Sequence, residues 1–246
     1  MSWPKAGEAL ATGRAIALLP VGSTEPHGPH LPLSTDAIIS VEAARRAAAG
    51  LEARGWTPLI LPALPYAVTD FSRDFPGAIS LGRASSAALV KEICLEAIRQ
   101  GCAAVCLVNS HLEPEHLAAL AEAAAEASAK TGRPVVFPDK TSRRWAATLG
   151  EEFKSGACHA GRYETSLVMA VAPELVNEAV RAQLPENPVS IGRMIKKGAR
   201  TFREAGGDQA YFGAPAAASA AEGETLYAAL AHMVVTEVLE ALEVAR

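Results

Sequence analysis

The sequence predicts an α/β fold: a three-layer sandwich whose largely parallel central sheet is covered by helices on both faces. The first observation is a set of short apolar runs, Ala15–Val21, Thr57–Pro62, Val105–Val108 and Pro134–Phe137, of the length and β-branched content of buried strands. The second is that stretches of helical period separate them, which gives β-α-β alternation and hence parallel pairing. The third is length. At 246 residues, half of them hydrophobic and 20% charged, the chain is long enough for one large α/β domain or two small ones, and is read as a single domain spanning 1–246.

The first run, Ala15-Ile16-Ala17-Leu18-Leu19-Pro20-Val21, reads as a strand buried on both faces. After it comes Gly22 to Asp36, GSTEPHGPHLPLSTD, which holds a glutamate, two histidines and an aspartate. Glu25 and His27 are two apart, so on extended backbone their side chains point the same way. Pro26, Gly28, Pro29 and Pro32 keep this stretch out of helix and stiffen it. Carboxylates and imidazoles are ligands for zinc, manganese and iron. Asp36 also opens a helical pattern running from Ala37 to Arg46, so it reads either as a ligand or as a helix cap.

Thr57–Pro62 is the second strand, followed by a long loop, Ala63 to Gly77, placed to wall a pocket with Tyr66, Asp70, Phe71, Arg73 and Phe75. Ala84 to Gly101 has helical spacing and ends on a glycine suited to a helix C-terminus. The next strand ends in Asn109-Ser110-His111-Leu112-Glu113, again an imidazole and a carboxylate two residues apart. In open α/β sheets, ligands bind at the strands' C-terminal edge. Glu25, His27, Asp36, His111 and Glu113 are therefore five candidate metal ligands. Three carboxylates carry −3 against +4 for two divalent ions, and the remaining positive charge favours an activated water.

Pro114-Glu115-His116 opens an Ala-rich helix to about Lys130, with proline in the first turn and His116 expected on the helix surface. Past the strand at Pro134 to Pro138, Arg143, Arg144 and Trp145 read as a substrate-side cluster or as a solvated helix start. Gly156 to Ser166 then places His159 among small residues, ahead of a helix over Leu167–Ala170. A histidine beside such a centre is a suitable proton shuttle, and an amide's departing nitrogen needs a proton. Glu164 reads as a carboxylate favoured by a helix N-terminus, in a supporting or substrate-side role. His30 reads as a residue that orients a ligand or fills the loop. The stretch Leu184–Gly207 is basic, with Arg193, Lys196, Lys197, Arg200 and Arg203, and is either a solvated face or a substrate- or partner-facing one. Glu222 to Ala245 closes the chain as a helix with apolar spacing.

Four stretches taken in order resemble the creatininase (creatinine amidohydrolase) family. They are Gly22–Pro32 with Thr35-Asp36, then Phe75–Leu81, then Asn109–Glu113, then His159-Ala160-Gly161 with Glu164-Thr165-Ser166. They run from about residue 15 to 180, with a weaker echo at Gly213–Gly223. The resemblance implies one metal on Glu25, Asp36 and His111, a second on His27, Asp36 and Glu113, and His159 as the catalytic histidine. The cofactors it implies are two divalent ions, zinc first, with manganese or iron as alternatives. The implied activity is hydrolysis of a small, cyclic amide. A deformylase or peptidase acting on a cofactor precursor is the alternative, and a catalytically silent metal-binding or assembly subunit is the non-enzyme reading. Creatininases have a glutamate directly before the histidine and a tryptophan four positions before it; here those positions are Cys158 and Ser155. The substrate side is therefore changed, with His30, Tyr66, Phe75, Trp145, Cys158 and Glu164 as candidate substrate-side residues. The family resemblance also implies a homo-oligomer, a hexamer.

The net charge of −4 argues against a nucleic-acid partner. No basic segment followed by a long apolar stretch opens the chain, and no apolar run approaches 18 residues without a charge, so neither a signal peptide nor a membrane span is expected. Cys94, Cys102, Cys106 and Cys158 read as buried thiols of a cytoplasmic protein.

Overall fold

A computed structural model describes residues 2–245. Helix α1 (Trp3–Ala11) precedes strand β1 (Ala15–Val21), and α2 (Thr35–Glu52) leads to β2 (Thr57–Ile60). Helix α3 (Arg83–Arg99), β3 (Ala104–Asn109), α4 (Pro114–Thr131) and β4 (Val135–Val136) complete the sheet. Short helices α5 (Arg143–Ala146) and α6 (Gly150–Ser155) come before α7 (Arg162–Val171), α8 (Glu178–Arg181), α9 (Ile191–Lys196) and the long α10 (Ala220–Val244). All strands pair in parallel, in the order β2-β1-β3-β4. β1 and β3 are the central pair, in register from Ile16 against Ala104 to Val21 against Asn109, so their C-terminal ends lie side by side.

The expected three layers follow from strand alternation. Ile16 and Leu18 of β1 and Cys106 and Val108 of β3 face α2, α7 and α10. Ala17, Leu19, Val105 and Leu107 face α3 and α4, through Val90, Cys94, Leu120 and Ala123. Each fully buried leucine on these faces contributes roughly 1.5–3 kcal/mol relative to exposure. Helix α10 is long and apolar enough to cross a membrane by length and composition alone. Here Leu226, Leu230, Val234 and Val238 are spent in the core, packed with α2 and α7. A Cβ on Gly223 of α10 would meet the Ser166 backbone of α7, so only glycine permits this approach.

Two boundaries differ from the sequence reading. The strand expected over Pro134–Pro138 is reduced to two residues, because the flanking prolines have no N–H to give a ladder. Helix α7 begins at Arg162 rather than Leu167, so Glu164, Thr165 and Ser166 lie inside its first turns. All four cysteines are buried and unbridged.

Candidate metal centre

Three helix N-termini converge beyond the β1 and β3 ends. Asp36 lies in the first turn of α2, Glu164 in that of α7, and Glu113 is the residue that enters α4. The positive ends of the helix dipoles favour carboxylates there. The cap reading of Asp36 is overturned: Ser34 holds the cap position, and no side chain makes the capping bond. The Asp36 carboxylate instead turns inward, 1% exposed. Gly22 makes room for it, since a Cβ at that position would sit 2.7 Å from Asp36 Cβ.

Asp36 links two groups. On one side, His111 Nδ1 lies 3.1 Å from Glu25 Oε1 and 3.2 Å from Asp36 Oδ2. On the other, His27 Nε2 lies 3.5 Å from both Asp36 Oδ1 and Glu164 Oε2. Glu25–Asp36–His111 and His27–Asp36–Glu164 each have ligand atoms close enough together to hold one metal ion. The remaining ring nitrogens are fixed by main-chain carbonyls. His27 Nδ1 donates to Glu25 O (3.1 Å), and His111 Nε2 donates to Val68 O (2.8 Å). Each imidazole thereby turns its other nitrogen to the carboxylates, which is the usual way a protein orients a metal-ligating histidine. Ser23 Oγ donates to Asp36 Oδ2 (2.8 Å), and Thr69 Oγ1 donates to Glu25 Oε2.

His27 Nε2 is buried with no hydrogen-bond partner among the described residues, although three carboxylates surround it. A bare imidazole nitrogen facing carboxylate oxygens is a donor set that fits a divalent cation. Burial opposes charge on His27, but Glu164, Asp36 and Glu25 outweigh it and raise its pKa to about 10. Likewise, burial disfavours the Glu25 carboxylate, yet His111 brings it down to about 2. The His27 proton holds the carboxylates together without metal, and a bound ion would displace it.

The sequence pairs Glu113 with this centre, and in the metal-free structure it lines the same cavity but bonds to the neighbouring loop. Glu113 accepts hydrogen bonds from the N–H groups of Asp70 and Phe71, both at 3.1 Å, so its carboxylate anchors the 63–77 loop. Glu164, placed in the sequence reading as a supporting or substrate-side group, lies with His27 and Asp36 in a group whose atoms are close enough together to hold an ion. We expect Glu164→Ala to lose about half of the bound metal and Glu113→Ala to keep all of it, read by elemental analysis of the purified variants. Full metal in the Glu164 variant would reverse this assignment.

His159 lies beside the centre, with Nε2 donating to Pro26 O (3.0 Å) and Nδ1 4.0 Å from Glu25 Oε1. Its ring is held between His27 and Phe202, with centroids at 4.4 and 4.3 Å. Burial, helped by the neighbouring His27, depresses its pKa to about 4. The next residue, Ala160, has φ +49°, and its N–H donates to Glu164 Oε2 (2.6 Å). A left-handed alanine is strained, and here it aims both His159 and Glu164 at one point.

A cavity of about 340 Å³ opens onto this cluster. Glu25, Asp36, His111, Glu113, Cys158, His159 and Glu164 line its polar part, and Phe71, Leu112, Phe153, Ile191, Ile195 and Phe202 its apolar walls. Several expected substrate-side residues lie elsewhere. Tyr66 is 48% exposed and off the cavity. Phe75 packs behind the wall, against Phe202 and under the Arg203 guanidinium. Trp145 is buried, with Nε1 donating to Glu237 (2.6 Å) and its ring edge-on to His232. His30 bonds Thr165 Oγ1 (2.9 Å) and braces the ligand loop against α7. His116 is fully buried rather than on the helix surface, bonded to Asn109 Oδ1 (3.0 Å). The basic 193–203 segment turns its charges to solvent and gives Ile195 and Phe202 to the cavity, beside Ile191 just ahead of it, a contribution its charge pattern hides.

The creatininase family model, described as creatinine amidohydrolase, matches residues 1–238. The chain belongs to the creatininase family. It is a metal-dependent amidohydrolase of that family. The mycofactocin precursor peptide peptidase of Mycolicibacterium smegmatis is 30% identical over 220 residues, 87% of this chain and 80% of that protein. Its namesake in Mycobacterium tuberculosis (strain H37Rv) is 31% identical over 228 residues, with the same coverage. The creatinine amidohydrolase of Pseudomonas putida is 26% identical over 192 residues, 72% of each chain. A solved creatininase in its manganese form aligns with a TM-score of 0.72 at 23% identity, covering 98% of this chain and 96% of that one, and shares the fold.

Proposed function

We propose that this chain is a two-metal amidohydrolase acting on a short peptide or peptide-derived amide with an apolar group beside the scissile bond. The observation that carries the reading is one cavity joining two ligand clusters, which share Asp36, to an aromatic and aliphatic wall. Two divalent ions, zinc or alternatively manganese or iron, would be held by Glu25, Asp36 and His111 and by His27, Asp36 and Glu164. When bound, such ions polarise the amide carbonyl and supply an activated water near neutral pH. His159 is neutral, with its Nε2–H committed to Pro26, so Nδ1 is free to take a proton and pass it to the departing nitrogen. Phe71, Phe153 and Phe202 exclude water and hold the apolar part of the substrate.

The compact cyclic amide expected from the sequence is the second reading. A cavity of about 340 Å³ with six apolar wall residues is larger and greasier than a small polar ring requires. The relatives at 30–31% identity bear a precursor-peptide peptidase name, whereas the creatinine amidohydrolase stands at 26%, which supports the same order. A silent assembly subunit would not need His159 held in working geometry beside both clusters.

The test is turnover of a panel by fully metallated protein: creatinine, small lactams, N-formyl amino acids, and short peptides with and without aromatic or branched residues. Cleavage of apolar peptides with little turnover of creatinine is the expected result. Faster turnover of a lactam than of any peptide would overturn the substrate class. Inertness of the metal-loaded protein toward the whole panel would favour the silent subunit.

A further inference from the structure

Helix α4 turns a stripe at helical spacing inward, His116, Ala119, Leu120, Ala123, Ala124 and Ala127, in which His116 is the one polar side chain. It is fully buried, and a polar group in such a place is costly unless it is bonded. Its single hydrogen bond among the described residues joins Nε2 to Asn109 Oδ1 (3.0 Å), and Nδ1 has no partner among them. Asn109 is the last residue of β3, and its carboxamide brackets the main chain of His111. Oδ1 accepts the His111 N–H (3.1 Å), and Nδ2 donates to His111 O (2.6 Å). These two bonds fix which way the carboxamide faces, because turning it over would set N–H against N–H and oxygen against oxygen. Oδ1 is therefore an acceptor for His116 as well, and His116 Nε2 carries the proton. The His116 ring lies alongside that of His111, with centroids 5.0 Å apart.

We propose that His116 is a positioning residue for the Glu25–Asp36–His111 cluster, acting through the Asn109 carboxamide that clamps the His111 main chain. The inference rests on the reading of that cluster as a metal site. The His111 ring is oriented at Nε2 by Val68 O (2.8 Å), and its Nδ1 meets Glu25 Oε1 at 3.1 Å and Asp36 Oδ2 at 3.2 Å. That orientation holds only while the main chain beneath the ring stays in place. β3 ends at Asn109 and α4 begins at Pro114, so His111 lies on the connection between them, where the carboxamide takes over support from the strand ladder. Without His116, Oδ1 loses one of its two donors and the carboxamide gains freedom to turn. The His111 N–H and C=O then lose their fixed partners, and the cost of ordering His111 falls on the binding of the ion. Neither His27 nor Glu164 bonds to Asn109 or His116 among the described residues, so the effect is confined to the cluster that holds His111.

The experiment is zinc titration of metal-free protein against a chromophoric chelator, which reads each dissociation constant without reference to activity. His116→Leu fills the space but removes the donor, and should weaken one binding step about 10- to 100-fold while leaving the other in place. His116→Gln sets an amide N–H near the position of Nε2 and should return that step close to its wild-type value, which a side chain that only fills space would not do. Circular dichroism and thermal midpoints of the metal-free proteins separate folding from affinity. His116→Asn, polar but too short to reach Asn109, is read in the same way if the leucine variant does not fold. A leucine variant with every step unchanged, or with all steps weakened alike, would overturn the role of His116 and leave the metal reading standing. So would leucine and glutamine variants weakened equally. A wild-type chain that takes up no zinc would overturn the cluster and this inference with it.

Discussion

Asp36→Asn is expected to lose both metal ions and to cut turnover by at least about 10³-fold, or ~4 kcal/mol of transition-state stabilisation. The two Asp36 oxygens serve different clusters, Oδ1 toward His27 and Oδ2 toward His111, so this one side chain belongs to both. Asparagine has nearly the same shape but offers one neutral oxygen. Whichever way its amide turns, one cluster faces an NH₂ where it had a carboxylate. If the NH₂ takes the Oδ2 position, Ser23 Oγ also loses the acceptor it reaches at 2.8 Å. Elemental analysis should find near-zero metal in the variant against about two equivalents in the wild-type chain. Circular dichroism matched to metal-free wild-type protein would separate metal loss from unfolding. An Asp36→Asn protein with full metal and full activity would remove the bridging role, and with it the shared-ligand centre.

The sheet and the first half of the centre were legible because both are local. The unbroken apolar runs of β1 and β3 can be buried only between two helical layers, and a ligand that follows a strand end stays at that end. Glu25, His27 and His111 are such residues, and Asp36 follows from one stiff loop. Glu113 is turned away from His111 in the metal-free structure because His-x-Glu implies a shared direction only while the chain stays extended. At Glu113 the chain enters α4, and the carboxylate finds the N–H groups of Asp70 and Phe71 instead. Glu164 reaches His27 because α7 packs against α10 and α2, a contact that no local spacing encodes. The one local signal available was a carboxylate in a first helical turn five residues past His159. Trp145 shows the same limit. Its neighbours in sequence are arginines, but its partners Glu237 and His232 arrive from α10. Phe202 and Ile195 were hidden in a segment that looks purely basic, because only one face of it meets the cavity.

His159→Ala should leave metal content unchanged while turnover falls by at least about 10²-fold, the lower end for loss of a general acid–base group. His159 contributes to neither of the two clusters that share Asp36, so its removal takes no ligand from either. Its Nδ1 lies 4.0 Å from Glu25 Oε1, a position from which it can exchange a proton with a group held at the centre, and with Glu25 and His27 it forms a third group of possible ligand atoms. Burial and His27 push the ring's pKa down to about 4, so Nδ1 keeps its lone pair in the neutral range and passes on quickly any proton it receives. Pinning Nε2–H to the Pro26 carbonyl fixes the tautomer that makes this possible. The side chain also fills the space between His27 and Phe202, so alanine would leave a gap that His27 could shift into. His159→Gln separates these effects: it fills much of the volume but cannot shuttle a proton near neutrality. The alanine and glutamine variants should therefore be similarly slow on an amide with a poor leaving group. Both should recover much of the lost rate on an activated ester, whose leaving group departs without a proton. Equal losses on good and poor leaving groups would mean that His159 shapes the site rather than moving the proton.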